Sequence, residues 1–118
     1  MPLRKLVDRI AKPVEETDRE RLASFVDSLD LTPLDQIPER VPVRFAGEIS
    51  AVRLVPRAGA PALEATIKDG RGAVVAVFLG RHSIGGMTPG RRLMAEGVVV
   101  PQGPRRLVYN PWYRFLGR

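Results

Sequence analysis

The sequence contains no cysteine and one histidine, His82. The first absence removes disulfides, thiolate metal sites and a cysteine nucleophile. The second removes histidine-rich metal sites and paired catalytic histidines. Aromatic residues are 6% of the chain, so flat surfaces for stacking are few. No apolar run approaches the ~18 residues that suggest a membrane span, and Asp8 and Arg9 break the apolar stretch at the amino terminus. The expectation is a soluble, cytoplasmic protein with no membrane partner. No Gly-Lys-Ser/Thr element is present, so a phosphate-binding P-loop is excluded. Gly70-Arg71-Gly72 has Val75 where a dinucleotide fingerprint needs its third glycine. His82 and Ser83 are adjacent, and adjacency does not build a triad. These absences lead to an expectation of no catalytic residues, no metal, no cofactor and no enzymatic activity.

With 118 residues there is room for one domain, or a small domain plus an extension. Hydrophobic residues make up 44%, enough for a core. The charge is unevenly placed. Residues 1–40 carry 7 basic and 9 acidic side chains, whereas residues 41–118 carry 12 basic and 4 acidic. All of those 12 except Lys68 are arginine. A basic domain beside a slightly acidic segment fits a polyanionic partner; an arginine-rich solvated surface is the plainer explanation. Guanidinium forks match phosphate and stack on bases, which favours the first.

Residues 1–40 read as a helical arm and a connector. Leu3, Leu6, Val7 and Ile10 share one helical face, and Pro13 interrupts it. Thr17-Asp18-Arg19-Glu20 has a capping-box pattern, followed by Leu22, Phe25, Val26 and Leu29 at helical spacing. So short a helix needs something to pack on. Its apolar face is expected to meet the rest of the chain, with a protein partner or a second copy as the other reading. Residues 31–40 are punctuated by Pro33 and Pro38.

Residues 41–118 read as five strands. Val43, Phe45, Gly47 and Ile49 alternate with polar or small residues in a long first strand, bent near Gly47 and ending by Pro56. Arg57 to Pro61 is expected to be a loop. Leu63, Ala65 and Ile67 alternate along strand two, and Asp69-Gly70-Arg71-Gly72 makes a hairpin turn into an apolar third strand, Ala73 to Leu79. Gly80 to Gly90 leaves room for one helical turn at most. Strand four covers Arg92 to Val100, with a bulge or bend at Gly97. Strand five covers Arg106 to Asn110; if Leu107 faces inward then so does Tyr109, leaving Arg106 and Val108 outward. Pro111 ends its ladder, and Trp112 to Leu116 form an aromatic tail. Five strands with glycines at the bends suggest a small barrel. The plan suits the oligonucleotide/oligosaccharide-binding (OB) fold, a five-stranded Greek-key barrel, and the long first strand favours it over an SH3-like barrel.

The segments Asp69 to Gly72, Val74 to Phe78, Pro89-Gly90, Glu96-Gly97-Val98 and Asn110-Pro111 resemble the OB domains related to the wedge of RecG-type helicases and to anticodon-binding domains. With its helical arm, the chain also resembles small stand-alone OB proteins of actinobacteria. The resemblance implies that Val75 and Glu64 face the ligand and that Val74, Ala76 and Phe78 point into the barrel. Val75 and Glu64 depart from the polar and aromatic residues the anticodon-binding relatives carry there, and a carboxylate opposes phosphate.

Binding a single strand takes a positive groove and flat side chains. Arg44, Thr66 and Lys68 are expected on the ligand face, with Arg57 on the first loop, Arg71 at the hairpin tip, Arg81 after strand three and Arg105 and Arg106 on the last strand. Trp112 and Tyr113 are the stacking candidates, unless they close the barrel end. Glu48 and Glu64 could pair across strands, although salt bridges to nearby arginines are the base expectation. The leading expectation is a module that binds single-stranded or distorted DNA, or RNA, mainly through phosphates. The alternative is a protein-interaction or self-association module using an exposed strip of Val75, Val77 and Leu79 together with the arm helices.

Overall fold

A computed structural model describes residues 14–117. The helix expected on Leu3 to Ile10 lies outside them. Helix α1 is described over Val14–Asp27, so Thr17 to Glu20 is helix interior and does not form the cap its pattern suggests. Leu22 and Val26, four residues apart on one face, are buried. The helix packs on the barrel, as the spacing of its apolar residues requires. The connector is also anchored, because Leu34, in a 3-10 turn at Leu34–Gln36, and Ile37 are both buried in the barrel core.

Six strands follow: β1 (Pro42–Arg57), β2 (Ala60–Lys68), β3 (Ala73–Leu79), β4 (Arg92–Gln102), β5 (Arg105–Tyr109) and β6 (Trp112–Phe115). β1 pairs with β2, β2 with β3, β3 with β5, β5 with β4, and β4 again with β1, which closes a five-stranded ring. Every pairing is antiparallel except β3–β5. This is the Greek-key barrel of the OB fold. Phe45, Ile49, Ile67, Val74, Ala76, Phe78, Leu93 and Val108 fill it. Val74, Ala76 and Phe78 thus point inward, as the resemblance implies.

Closure depends on β1 changing partners. Pro42 to Glu48 pair with β4, and Glu48 to Arg57 pair with β2, with a register shift between Ile49 and Ala51. Gly47 sits at the crossing point. A Cβ there would come within 2.5 Å of the Lys68 carbonyl oxygen, so a side chain would push the strands apart.

Three strand expectations need correction. Arg57 lies in β1, opposite Ala60; the turn is only Ala58-Gly59, both with positive φ as a tight hairpin requires. On β5 the faces are reversed: Val108 is in the barrel core, while Leu107 joins an outer cluster and Tyr109 is exposed. Finally, the tail is a sixth strand, with Trp112 to Phe115 antiparallel to Leu93 to Glu96. Pro111 does not end the β structure, because Asn110 bridges the break. Its N–H donates to the Val77 carbonyl at 2.8 Å, and its Oδ1 accepts from the Leu79 N–H at 3.0 Å. Its φ of 47° is a conformation asparagine tolerates.

Candidate functional site

Strand register assembles one outer face from four strands. Arg53, Glu64, Val77 and Tyr109 are cross-strand neighbours in a row over β1, β2, β3 and β5. Thr66, Val75 and Leu107 form the adjacent row. Directly opposed residues project to the same side of a sheet, so these side chains share one surface.

That surface is not the open apolar strip expected from Val75, Val77 and Leu79. Val75 and Val77 are buried with Ala62 and Leu107 in a second small apolar cluster, edged by Val55 and Val100, and only Leu79 is exposed.

Glu64 lies at the centre and is 4% exposed. Three guanidinium groups converge on its carboxylate. Arg53 Nη2 and Arg105 Nη1 each donate to Oε1 at 3.1 Å, and Arg57 Nη2 donates to Oε2 at 3.1 Å. Arg57 also donates through Nη1 to the Tyr109 hydroxyl at 3.2 Å and lies over that ring. Burial pushes the Glu64 carboxyl pKa up, but hydrogen bonds from Arg53, Arg57 and Arg105, with the Coulombic field of Arg105, outweigh it and hold the group below its ordinary value. The carboxylate is therefore ionised at neutral pH. It accounts for one negative charge among several cations.

A cleft of about 350 Å³ opens beside it, lined by Arg53, Glu64, Thr66, Val75, Arg105 and Arg106 among others. Arg106 is held by a hydrogen bond from Nη2 to the Ala73 carbonyl at 2.9 Å. A second cleft of about 660 Å³ meets the first at Ala73 and runs between the β2–β3 turn and α1, past Lys68, Arg71 and Arg19. The helix docks tightly there: a Cβ on Gly70 would lie 2.5 Å from the Arg19 carbonyl oxygen. Among the described residues, none of α1 lines the smaller cleft.

The sequence-derived candidates divide by position. Arg57, Thr66, Arg105 and Arg106 come together on the Glu64 face, and Lys68 lies at its end by the second cleft. Arg71 borders that second cleft but is tied to Asp27 of α1 at 2.7 Å. Arg81 follows β3 and lines neither cleft. Arg44 stands apart from the group at Glu64. It precedes the Gly47 crossing, stands opposite Glu96 on β4 and pairs with it at 2.7 Å, away from the Glu64 face. Trp112 is opposite the same Glu96 on β6 and is 54% exposed, so it shares the Arg44 side. Tyr113 is half-buried and packs edge-on against Phe78 and Phe115 beside the core. Arg53 and Tyr109 were missed. Arg53 was recoverable from period two, being four residues before Arg57 on the same strand face; Tyr109 was hidden by the reversed reading of β5.

Of the two acids expected to pair across strands, Glu48 stands opposite Lys68 and Arg92, not Glu64. Salt bridging to arginine is what Glu64 does. The other buried acid, Asp69, is structural: it accepts backbone N–H bonds from Leu34 at 2.7 Å and from Arg71 and Gly72 at 2.9 Å. Among the described residues no group of three or more His, Asp or Glu side chains could hold a metal ion, and no helix is long and apolar enough to cross a membrane.

What this geometry can do is bind an anion. Several planar donors face solvent around a shallow cleft, backed by an apolar floor, on the strand face that OB barrels use for oligonucleotides and oligosaccharides.

No family model and no curated protein matches the sequence. Among solved structures, a chain from a Replication Protein A heterotrimer bound to ssDNA is similar in fold, with a TM-score of 0.51 and 12% identity. The match covers 69% of this chain and 62% of that one, so less than two thirds of the neighbour's length is spanned. At that identity the likeness is one of architecture, and it agrees with the strand order: residues 42–115 form an OB barrel.

Proposed function

We propose that this barrel is a non-enzymatic module that binds single-stranded or distorted DNA, or RNA, across the Glu64 face, mainly through arginine–phosphate contacts and with weak sequence preference. The observation that carries the reading is the gathering of Arg53, Arg105 and Arg106 around one cleft on the β1–β2–β3–β5 surface, with Arg57 bound to the Glu64 carboxylate beside it. The structural neighbour's bound ssDNA supports it by analogy of fold. Among the described residues no aromatic lines the cleft, and Tyr109 reaches the Glu64 group only through Arg57, so backbone charge outweighs base stacking and sequence preference is weak. Kinship with the RecG-type wedge and anticodon-binding domains belongs to the same proposal, supported by the order of turns from Asp69 to Asn110; an actinobacterial source rests on the helical arm ahead of the barrel, and a cytoplasmic setting on the sequence pattern at the amino terminus.

The test is an oligonucleotide titration across salt concentrations. Neutralising about four phosphates gives a slope of log K on log salt near −3 for a single strand. Replacing Arg105 and Arg106 by Ala is expected to weaken binding and flatten that slope. Unchanged affinity and slope would remove this face from the proposal. The self-association reading loses its apolar β3 strip, which is covered. It retains the arm helices, to which the exposed Val98 and Trp112 on the far side can be added, and light scattering of the intact chain measures it directly.

A further inference from the structure

A carboxylate in the middle of a phosphate-binding face is at first sight a defect, since like charges repel. Its surroundings point the other way. Arg53 and Arg105 come from strands on different sides of Glu64, yet both donate to the same oxygen, Oε1. Each uses one N–H there, and a guanidinium has five in a planar fork. Arg53 is 63% exposed and Arg105 39%, so the spare donors reach solvent. Untethered arginines on a surface would sample many rotamers and lose that freedom on binding. Here the carboxylate has already ordered them, side by side.

We propose that Glu64 is a positioning residue that makes Arg53 and Arg105 a single clamp for one phosphodiester group of a bound strand. The phosphate does not displace the carboxylate. Glu64 is buried, and stripping its donors would leave an uncompensated charge away from water. The phosphate instead meets the outer edges of both forks while their inner edges stay on Oε1. This inference rests on the nucleic-acid reading above and assigns the atoms that hold the backbone.

Coulomb attraction alone and the clamp predict opposite signs for Glu64→Gln. Removing a negative charge from the groove should tighten binding if only charge matters. If Glu64 positions the forks, a fluorescent oligo-dT should bind roughly 3–10-fold more weakly, the loss coming from arginines that must be ordered anew. In the free wild-type protein, the ¹⁵N-resolved Nη–H signals of Arg53 and Arg105 should show hindered rotation, and they should shift on adding oligo-dT. In the variant they should revert to those of solvated arginine, a change that loss of stability alone does not produce. Tighter or unchanged binding by Glu64→Gln, in a protein whose Arg105→Ala/Arg106→Ala variant still loses affinity, overturns the clamp and leaves the nucleic-acid reading standing. Absence of oligo-dT binding by the wild type removes both. Should Glu64→Gln not fold, the exposed pair decides. Arg53→Ala and Arg105→Ala should combine non-additively if they share one phosphate, and additive losses overturn the clamp.

Discussion

Glu64 and Asp69 are the two charged side chains buried among the described residues, and their donors differ in kind. Asp69 is satisfied by backbone N–H groups, so it ties the β2–β3 turn to the connector at Leu34. Glu64 is satisfied by three side chains on the surface that the proposal assigns to ligand. The Asp-Gly-Arg-Gly turn was legible because its chemistry is local. The bond to Leu34, 35 residues away in the chain, was not. Glu64 was readable as facing outward, but its role depends on three arginines brought in by register, which alternation of one strand cannot reveal. The Glu64 environment has a consequence in acid. Its folded pKa lies below the ordinary value of 4.5, so the ionised form favours the folded state. That contribution is fully present above about pH 4.5 and is lost as pH falls through the depressed folded value. Other carboxylates titrate over the same range, so the informative quantity is a difference. The urea midpoint of the wild type should fall more steeply than that of Glu64→Gln as pH drops below 4.5, and parallel curves would contradict the hydrogen-bonded environment.

At the scale of elements, the sequence was most legible where period two and glycine turns acted together. β1 to β4 stand close to where alternation put them, and the bend at Gly47 is where β1 trades β4 for β2. β5 was misread because Leu107 and Val108 are both apolar, and periodicity within five residues cannot choose between them. Parallel pairing with β3 decides it, setting Leu107 opposite Val75 on the outer face. β6 was missed because Pro111 reads as a terminator, while the adjoining Asn110 carries the backbone across the break. α1 shows how one element depends on a residue in another. It sits against the β2–β3 turn so closely that Gly70, at φ 88°, leaves no room for a methyl group. Gly70→Ala would combine an unfavourable backbone conformation with a clash against the Arg19 carbonyl. We expect a loss of about 1–3 kcal/mol in stability, with amide exchange in α1 accelerated far more than in β2 and β3. Uniform acceleration would mean that the helix and barrel open as one unit.

Across the whole molecule, the excess positive charge of residues 41–118 is divided by the β1 crossing. Arg53 and Arg57, after Gly47, belong to the Glu64 face; Arg44, before it, lies across the barrel beside Glu96 and Trp112. Composition alone cannot separate these arginines, and a purely global view of charge treats them alike. Arg44→Ala and Arg53→Ala each lower the net charge by one at an exposed position. If attraction to a polyanion came from overall charge, the two variants would lose affinity equally and their salt dependences would change together. The face-specific proposal separates them. Arg53→Ala should weaken oligonucleotide binding and flatten the salt slope by about 0.7, the share of one single-strand phosphate contact. Arg44→Ala frees an exposed Glu96 whose surface pair contributes little, ~0–1 kcal/mol, to stability. It should leave both affinity and slope close to wild type. Fluorescence anisotropy at several salt concentrations distinguishes the outcomes. Equal losses in the two variants would show that the protein attracts nucleic acid by its field as a whole, with no privileged groove, and Val98 and Trp112 would then become the more distinctive surface.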